Sequence, residues 1–423
     1  MRTHRTCRRI LESCFTVTVA VLFLAVACPI VRGGEPQPKE VRVGVLLPLS
    51  GPVAEGGEII KHGVVLAADE INAAGGIKSL GGAKLRLVLG DTMAKPEVGA
   101  TEAERLILSE KVSAILGAWN SVITMSSSTV SERYKIPYVV MCSILDDITQ
   151  RGYKYLFRHT ANTTDIAKGE VAFLKAMSAK GPRIKKVAFV YDFLYKNIML
   201  GIRDIVTKET DFAIVVEEAF SPGQLDMTAM VLKIKGTNPD VILAGITGPG
   251  DAILFFRTLH ETNLNVMGVL GSGAAFVYEP TLTGAGKLAN YTLSQDPWTP
   301  RMPVPAMQNF LNNFRKRHKA DPNPSSTEAY SATYVLAEAL EKAGSVKPED
   351  IRNALANMDI NLKDRNHPAV MASGYRVKFG PDGQNPYIVT AIEQVFDQKT
   401  TTVYPPEVAE RPPVWPVPAW DKR

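Results

Sequence analysis

The chain has 423 residues and a formal net charge of +5, with 48 Lys and Arg against 43 Asp and Glu. Much of the basic excess lies in Arg2, Arg5, Arg8 and Arg9, and no later basic run is interleaved with aromatic residues, which argues against a nucleic-acid partner. The length exceeds that of one ordinary domain, so we expect two hydrophobic cores.

The N-terminal segment has the composition of an export signal. A basic stretch precedes an apolar run from Cys14 to Ala27, which is too short to span a bilayer comfortably. Ala25 and Ala27 form the small-x-small pattern that a signal peptidase cuts after, yet Cys28 follows directly, as in a lipobox. We therefore predict a signal peptide at residues 1–27 and a periplasmic or otherwise extracytoplasmic protein. Lipidation at Cys28 and plain cleavage both stay open.

The cysteine and apolar content of the remaining chain predicts a mature domain without a disulfide or a membrane span. Cys7 and Cys14 belong to the signal, which leaves Cys142 alone inside the mature domain. No intramolecular bridge is therefore expected. After residue 28 no apolar stretch reaches about eighteen residues, so a lipid at the N-terminus is the one membrane attachment that we expect.

From Val41 onward, short β-branched runs alternate with amphipathic windows, which is typical of parallel βαβ units. Most runs are almost continuously apolar, as expected for a sheet with helices on both faces. Between the first two strands a helical stripe from Ile59 to Ile71 is followed by Gly75 and Gly76, which favour a helix end. The predicted strands are Val41–Leu47, Lys84–Leu89, Ala114–Gly117, Pro137–Met141, Lys186–Val190, Ala213–Val216, Val241–Ala244 and Val266–Leu270.

This many strands predicts two α/β lobes. The first would comprise residues 41–158 and 297–375, the second residues 162–289 and 380–403, and the Pro- and Trp-rich tail 404–423 would be an extended strap. Tyr387–Phe396 is predicted to form a last strand pair. The candidate hinge segments between the lobes are Leu156–Asn162, Ala289–Pro297 and Tyr375–Gly380.

Common catalytic and metal motifs are not intact in this sequence. Gly271, Ser272 and Gly273 follow a strand, but Phe276 replaces the third glycine of a dinucleotide fingerprint. His260 and Glu261 begin like a zinc-protease helix, but the second ligand position holds leucine. The histidines are scattered, so we expect no metal site. Because the motifs above are incomplete, we also expect no cofactor and no catalysis. Dispersed catalytic groups would leave no local signature, so an enzyme stays open as an alternative.

Polar loops follow two neighbouring predicted strands. After Ala114–Gly117 come Trp119, Asn120 and Ser121, at the start of a predicted helix, and after Pro137–Met141 come Cys142, Ser143 and Ile144. A helix N-terminus carries free N–H groups and a partial positive charge, which suits a carboxylate. Ligands of open α/β sheets bind beyond the carboxyl ends of the strands. The alternative is that Asn120 or Ser121 merely caps the helix.

At these residues the chain resembles the leucine/isoleucine/valine-binding proteins, a branch of the type I periplasmic binding proteins that serve ABC importers. The similarity covers roughly Val41 to Phe396. The matching motifs are Val43-Gly44-Val45 leading to Leu49-Ser50-Gly51-Pro52-Val53-Ala54, then Ala68-Asp69-Glu70-Ile71-Asn72-Ala73-Ala74-Gly75-Gly76-Ile77, and then Arg151-Gly152-Tyr153 before Phe157-Arg158.

The resemblance implies two Rossmann-like lobes with parallel sheets, joined by three crossover segments, that close on an unreacted ligand. It also implies an ABC permease of the inner membrane as the partner, and we expect a monomer. The family's serine that holds the ligand carboxylate falls on Ser121, and its second carboxylate-binding turn falls on Cys142, Ser143 and Ile144. Ile144 departs from the pattern, because a hydroxyl side chain commonly stands there; its backbone N–H could still donate.

The second lobe departs further. In the family, an acidic residue pairs with the ammonium of a bound amino acid, and its position would fall near Leu270, just before Ser272. A leucine cannot pair with a charge, and burying an unpaired ammonium costs several kcal/mol. We therefore expect a carboxylate or amide that lacks an α-ammonium, such as an aromatic or hydroxy acid. If instead Glu328 or Asp251 turns in to meet an ammonium, an amino-acid ligand stays open.

The aromatic wall of the family's first lobe is also absent, since Gly56 stands at that place and would enlarge the pocket. Trp119 offers a stacking face, unless it is a core aromatic. Tyr195 offers one from the second lobe, unless it lies on the surface at a helix start. Ile246 and Thr247 would add an edge with both polar and apolar groups.

Three hypotheses follow: an importer-coupled receptor, a periplasmic sensor of the same fold that feeds a signalling system, and an enzyme with dispersed catalytic residues. The export signal favours the receptor. Neighbouring permease and ATPase genes would support import, whereas a response-regulator gene would support sensing.

Overall fold

The protein is represented by a computed structural model that describes residues 38–51, 53–272, 274–296, 304–361, 366–372 and 376–423. All of these residues belong to one compact unit, Pro38–Arg423. The predicted signal peptide, Cys28, Gly273, Pro297 and Tyr375 lie outside the described residues. Within the described part of the chain, no helix is both long enough and apolar enough to cross a membrane.

The strands form two main sheets and one two-stranded ribbon. In chain order they are β1 (Glu40–Leu47), β2 (Lys84–Asp91), β3 (Ala114–Gly117), β4 (Tyr138–Val140), β5 (Leu156–Arg158), β6 (Lys186–Asp192), β7 (Ala213–Phe220), β8 (Val241–Gly245), β9 (Gly268–Gly271), β10 (Leu293–Asp296), β11 (Asp359–Ile360), β12 (Val377–Lys378), β13 (Ala391–Phe396) and β14 (Lys399–Tyr404).

The helices cover both faces of the main sheets. They are α1 (Ala54–Ala73), α2 (Pro96–Leu108), α3 (Ser121–Arg133), α4 (Asp147–Gln150), α5 (Thr163–Lys180), α6 (Lys196–Glu209), α7 (Thr228–Thr237), α8 (Pro249–Glu261), α9 (Glu279–Ala285), α10 (Ala306–His318), α11 (Pro324–Ala343) and α12 (Pro348–Ala356). Short 3-10 turns span Lys78–Leu80, Ala274–Phe276, Gly286–Ala289, Pro368–Val370 and Trp420–Lys422.

The first lobe is built on a five-stranded parallel sheet in the order β2-β1-β3-β4-β5. Its strands are apolar on both faces because α1, α10, α11 and α12 contribute to the core on one side, while α2 and α3 contribute to the core on the other. Helix α1 ends at Ala73, and Gly75 and Gly76 follow with φ of 111° and 75°, which confirms the predicted glycine stop.

The second lobe is built on a seven-stranded sheet in the order β14-β13-β10-β9-β8-β6-β7. Strands β6 to β10 are parallel, and β13 and β14 are antiparallel additions at one edge. The predicted fold class, two α/β lobes joined by three crossovers, is confirmed. Apolar side chains on the two sides of this sheet form two further cores.

The last strand pair differs from the prediction over Tyr387–Phe396. The pair is β13 with β14, joined by Asp397 and Gln398, whose φ values are 47° and 62°. Two residues with positive φ make a tight hairpin turn, and such turns are usually recognised by an Asn-Gly or Asp-Gly pair. Without that pair, the turn carried no signal in the sequence.

The chain crosses between the lobes three times: after β5, between Asp296 and Val304, and between β12 and β13. The first and third crossings lie side by side. There the Arg158 N–H donates to the Gly383 carbonyl at 2.8 Å, and the Asn385 N–H donates to the Arg158 carbonyl at 2.9 Å. The two crossing segments are therefore bonded to each other through their backbones.

The Arg158 side chain is fully buried at this junction. Its Nε donates to Gln384 Oε1 at 2.6 Å, and its Nη1 donates to the Ser143 and Leu145 carbonyls at 3.1 and 2.7 Å. Burial lowers the pKa of this guanidinium to about 10, which leaves it charged at neutral pH. Arg158 thus ties both crossings to the loop after β4.

Candidate ligand-binding site

A cavity of about 150 Å³ lies between the two lobes, beyond the carboxyl ends of the strands. This is where an open parallel sheet places its loops and helix N-termini. The lining residues are Trp119, Asn120, Ser121, Val122, Cys142, Ile144, Leu145, Ile166, Leu194, Tyr195, Asn197, Ile198, Ile246, Thr247, Ser272, Ala275, Gln295, Asp296, Pro324, Ser325 and Glu328.

The first lobe presents the N-terminus of α3 to this cavity. Neither Asn120 nor Ser121 makes a side-chain hydrogen bond that caps the helix, and the buried Asn120 Oδ1 has no hydrogen-bond partner among the described residues. The Ser121 hydroxyl accepts from the Leu145 N–H at 3.3 Å, so its own proton stays free to donate. The first-turn N–H groups of an α-helix also lack partners within the helix. The helix N–H groups and the Ser121 hydroxyl can therefore donate hydrogen bonds to an anionic or carbonyl oxygen, whereas Asn120 Oδ1 can only accept one.

Trp119 lines the cavity and packs against the core of the first lobe. Its ring lies over Gly56, because a methyl group at position 56 would approach Cζ3 of the indole to 2.5 Å. The missing side chain at position 56 therefore makes room for Trp119. The first lobe keeps an aromatic wall, supplied from a different position than the resemblance implied.

The loop after β4 contributes two of its three predicted residues. Cys142 and Ile144 line the cavity, and the Cys142 thiol donates to the Ser325 carbonyl at 3.3 Å. Ser143 does not line it. The Ser143 hydroxyl is buried and bonded to Thr124 Oγ1 at 2.6 Å and to the Trp119 carbonyl at 2.9 Å, so it braces the loop. The predicted contact of Ser143 with a ligand thus has no support from the cavity lining, because local spacing cannot reveal which way its side chain is bonded.

The second lobe contributes Tyr195, Ile246 and Thr247. The buried Asp192 carboxylate holds their loops together: it accepts from the Tyr195 N–H at 3.0 Å and from the Thr247 N–H at 2.6 Å. The Thr247 hydroxyl also donates to Asp192, at 3.0 Å. The Tyr195 ring lies over Gly245, where an added methyl group would approach Cδ1 to 2.6 Å. Both aromatic walls are thus seated on glycines.

The acid positions considered from the sequence fall in different surroundings. Leu270 is fully buried in the core of the second lobe and does not line the cavity, although Ser272, two residues later, does. Asp251 is bonded to the Gly223 N–H at 3.0 Å and also lies outside the lining. Glu328 lines the cavity from α11. Leu270 and Asp251 therefore lie outside the cavity lining, because Leu270 packs into the core and Asp251 is bonded to a loop N–H group.

Gln295 and Asp296 are cavity residues that the sequence reasoning missed. They end β10, within a segment that was assigned to a hinge, so their polar side chains were taken as loop composition. The signal that could have found them is a Gln-Asp pair at the carboxyl end of a short strand, near the sheet edge where Asn120 and Ser121 were also expected.

Burial shifts the acid–base properties of the carboxyl groups in the cavity. It raises the pKa of Glu328 to about 8, with a smaller contribution from the Asp296 charge, and it raises the pKa of Asp296 as well. Thr160 donates a short hydrogen bond to Glu328 Oε1. No group of three His, Cys, Asp or Glu side chains in the described ranges is placed to hold a metal ion.

A two-lobed α/β fold with a polar cavity at the facing carboxyl ends of its sheets is the architecture of a solute receptor. The chain belongs to the periplasmic binding protein family, whose model, described as periplasmic binding protein, matches residues 40–391. It is 30% identical over 383 residues to the Leu/Ile/Val-binding protein homolog 8 of Brucella abortus, in an alignment that covers 88% of this chain and 92% of that protein. The family recognised from the sequence motifs is confirmed.

Two solved structures with bound ligands share this fold. The branched-chain amino acid transporter substrate binding protein LivJ of Streptococcus pneumoniae, in complex with isoleucine, has a TM-score of 0.75 and 22% identity, covering 87% of this chain and 100% of that chain. An ABC transporter solute binding protein of R. palustris, in complex with benzoate, has a TM-score of 0.73 and 20% identity, covering 90% of this chain and 97% of that chain.

Proposed function

We propose that this protein is an extracytoplasmic receptor for an ABC importer of the branched-chain amino acid type, and that it binds a small carboxylate or amide between its lobes without reacting with it. One observation carries the proposal: the uncapped N-terminus of α3, with its first-turn N–H groups and the free Ser121 proton, borders the interlobe cavity. Such a corner suits an oxygen-rich ligand group.

The ligand proposed here lacks an α-ammonium group. The position that the family resemblance assigns to the ammonium-binding acid holds Leu270, and this side chain is buried in the core. Trp119 and Tyr195 border the cavity and favour a ligand with a flat or apolar body. The relatives bound to isoleucine and to benzoate support both amino acids and aromatic acids as probes.

The proposal includes export by the N-terminal signal, an ABC permease of the inner membrane as partner, a monomeric receptor and no catalytic activity. Residues 41–158 with 297–375, and 162–289 with 380–403, would then be the parts that move against each other on closure. The membership in the periplasmic binding protein family supports this assignment.

A thermal-shift screen tests the ligand class. The panel compares leucine, valine and other amino acids with benzoate, hydroxybenzoates and short aliphatic acids at equal concentration and pH. We expect acids without an α-ammonium to raise the melting temperature most, since a ligand stabilises the state that it binds. A clear preference for leucine or valine would overturn the proposed ligand class. If chromatography shows that every stabilising compound is recovered chemically unchanged after incubation with the protein, the result would support binding without catalysis.

A further inference from the structure

The cavity contains a pair of carboxyl groups, one from each lobe. Asp296 ends β10 of the second lobe, and Glu328 lies on α11, which packs on the first lobe; they are 2% and 3% exposed. Among the described residues that line the cavity, none is Lys, Arg or His. No lining side chain can therefore act as a counter-charge for the two acids.

Several buried polar atoms beside this pair have no hydrogen-bond partner among the described residues. They are Asp296 Oδ2, both amide atoms of Gln295, and the Ser272 hydroxyl. All three side chains line the cavity and are at least nine-tenths buried. Buried polar atoms are normally satisfied, and leaving one without a partner is destabilising. A donating group of the bound ligand would satisfy the oxygen atoms of this set, while Gln295 Nε2 needs an acceptor.

The acid lies on a different strand from the one that the family resemblance assigns. Strand β10 is parallel to β9, with Leu293 opposite Leu270 and Ser294 opposite Gly271. Neighbouring strands are about 4.8 Å apart. Asp296 also lies three residues beyond Leu293, so a positive group that pairs with it is displaced from position 270 by one strand across the sheet and by about 10 Å along the strands.

We propose that the ligand carries, besides its carboxylate, a cationic nitrogen outside the α position, and that Asp296 and Glu328 hold this nitrogen between the two lobes. This inference rests on the proposed function. It also assigns the two residues a role in selection. Without a cation between them, the two buried carboxyls avoid mutual repulsion by sharing less than two charges, so only a ligand that carries the nitrogen gains an ion pair with both of them.

The behaviour of the unliganded pair agrees with this assignment. Burial holds the pKa of Glu328 at about 8, so without a cation this group keeps a proton at neutral pH. A cation between the two carboxyls favours their charged forms, and the interaction gains strength in a site shielded from water. The cost of burying the pair is then offset by the ligand.

Isothermal titration calorimetry on the full mature chain, with a series of equal chain length, tests the proposal. The probes are pentanoate, norvaline (2-aminopentanoate), 4-aminopentanoate and 5-aminopentanoate, which differ only in the presence and place of the nitrogen. We expect 4- or 5-aminopentanoate to bind at least about tenfold more tightly than pentanoate and norvaline, as for a charged hydrogen bond. Tightest binding of norvaline, or equal binding of all four probes, would overturn the proposal.

Other outcomes separate the two proposals. If pentanoate binds most tightly, the cationic site fails while the carboxylate receptor stands. If none of the four binds at millimolar concentration, and no acid in the wider screen does either, both proposals fail.

The variants D296N and E328Q, alone and combined, give an independent readout. We expect the double variant to lose at least about tenfold in affinity for 4- or 5-aminopentanoate and to bind pentanoate about as well as the wild type, because pentanoate has no cation that could pair with either acid. The single variants replace it if the double variant does not fold. Asp251→Asn is the matched control in the second lobe, outside the cavity, and it should keep the wild-type preference. An unchanged preference in both D296N and E328Q would overturn the assignment.

Discussion

The indole of Trp119 fills the space that a side chain at position 56 would occupy, with 2.5 Å between Cζ3 and the place of a Cβ atom. Position 56 lies on α1, while Trp119 lies in the loop before α3. The two positions therefore act as one unit: the glycine sets how deeply the ring seats, and the ring sets the width of the cavity in the first lobe.

Gly56→Ala should displace the Trp119 ring and weaken ligand binding. The added methyl group cannot fit without moving the indole, and overpacking of this kind costs about 1–3 kcal/mol. Tryptophan fluorescence and calorimetry with the best acid from the screen would measure both effects. Gly236→Ala in α7 is the matched control, because nothing lies within 4 Å of an added methyl group there, and it should leave affinity unchanged. Equal affinity of Gly56→Ala and wild type would contradict the stacking role.

Ser121→Ala should weaken binding of an acid by about 1–2 kcal/mol, the value of a hydrogen bond to a charged group. The reason is that the Leu145 N–H already occupies an acceptor site of this hydroxyl and leaves its proton for the ligand. Calorimetry gives the change. Ser126→Ala on the same helix removes bonds to the Pro96 and Ile123 carbonyls away from the cavity, and should not alter affinity. If Ser121→Ala binds the acid as tightly as the wild type, this hydroxyl does not contact the ligand and bonds only the Leu145 N–H.

The sequence predicted the first-lobe half of the site better than the second. The predicted bounds of β3 match the structure because Ala114–Gly117 is a short apolar run. The polar residues that follow it lie at the carboxyl end of the sheet, where ligands bind in such folds. Asp296 was missed because its strand is only four residues long and is followed by a proline, so the segment was taken for a hinge. Its side chain reaches the cavity through the order of the strands, which local pattern does not encode.

The bonds of Arg158 show the same limit. The sequence placed this residue at a crossing, but its contact with Gln384 joins positions far apart in the chain. Likewise Ser143 and Thr247 were correctly placed in loops at the cavity edge, yet their hydroxyls are used within the protein. Local sequence indicates which loop a side chain belongs to, while the partner of its hydrogen bond depends on tertiary packing.

Arg158→Met should destabilise the protein by about 3–5 kcal/mol, because it removes one partner from a buried, charged network and leaves the Gln384 amide and two carbonyls without a donor. Urea unfolding followed by circular dichroism measures the change. Arg183→Met is the control, since that side chain forms an exposed ion pair with Asp211, and such pairs contribute about 0–1 kcal/mol. If both variants lose a similar free energy of unfolding, the buried network contributes no more to stability than the exposed ion pair.

Glu328→Gln should change how the stability of the unliganded protein depends on pH. The folded pKa of Glu328, about 8, lies above its ordinary value of 4.5, so the folded state binds more protons than the unfolded state between these limits. Stability from this group is then fully present below pH 4.5 and is lost as the pH rises through 8.

The variant keeps a neutral side chain at every pH. We expect wild type and variant to unfold at similar urea concentrations at pH 4.5, and the variant to be more stable by about 1–3 kcal/mol at pH 8.5. The groups that face Glu328, namely Thr160, Cys142 and Asp296, are unchanged in this comparison. A difference of the same size at both pH values would mean that lost packing or hydrogen bonding, rather than the buried charge, governs the effect.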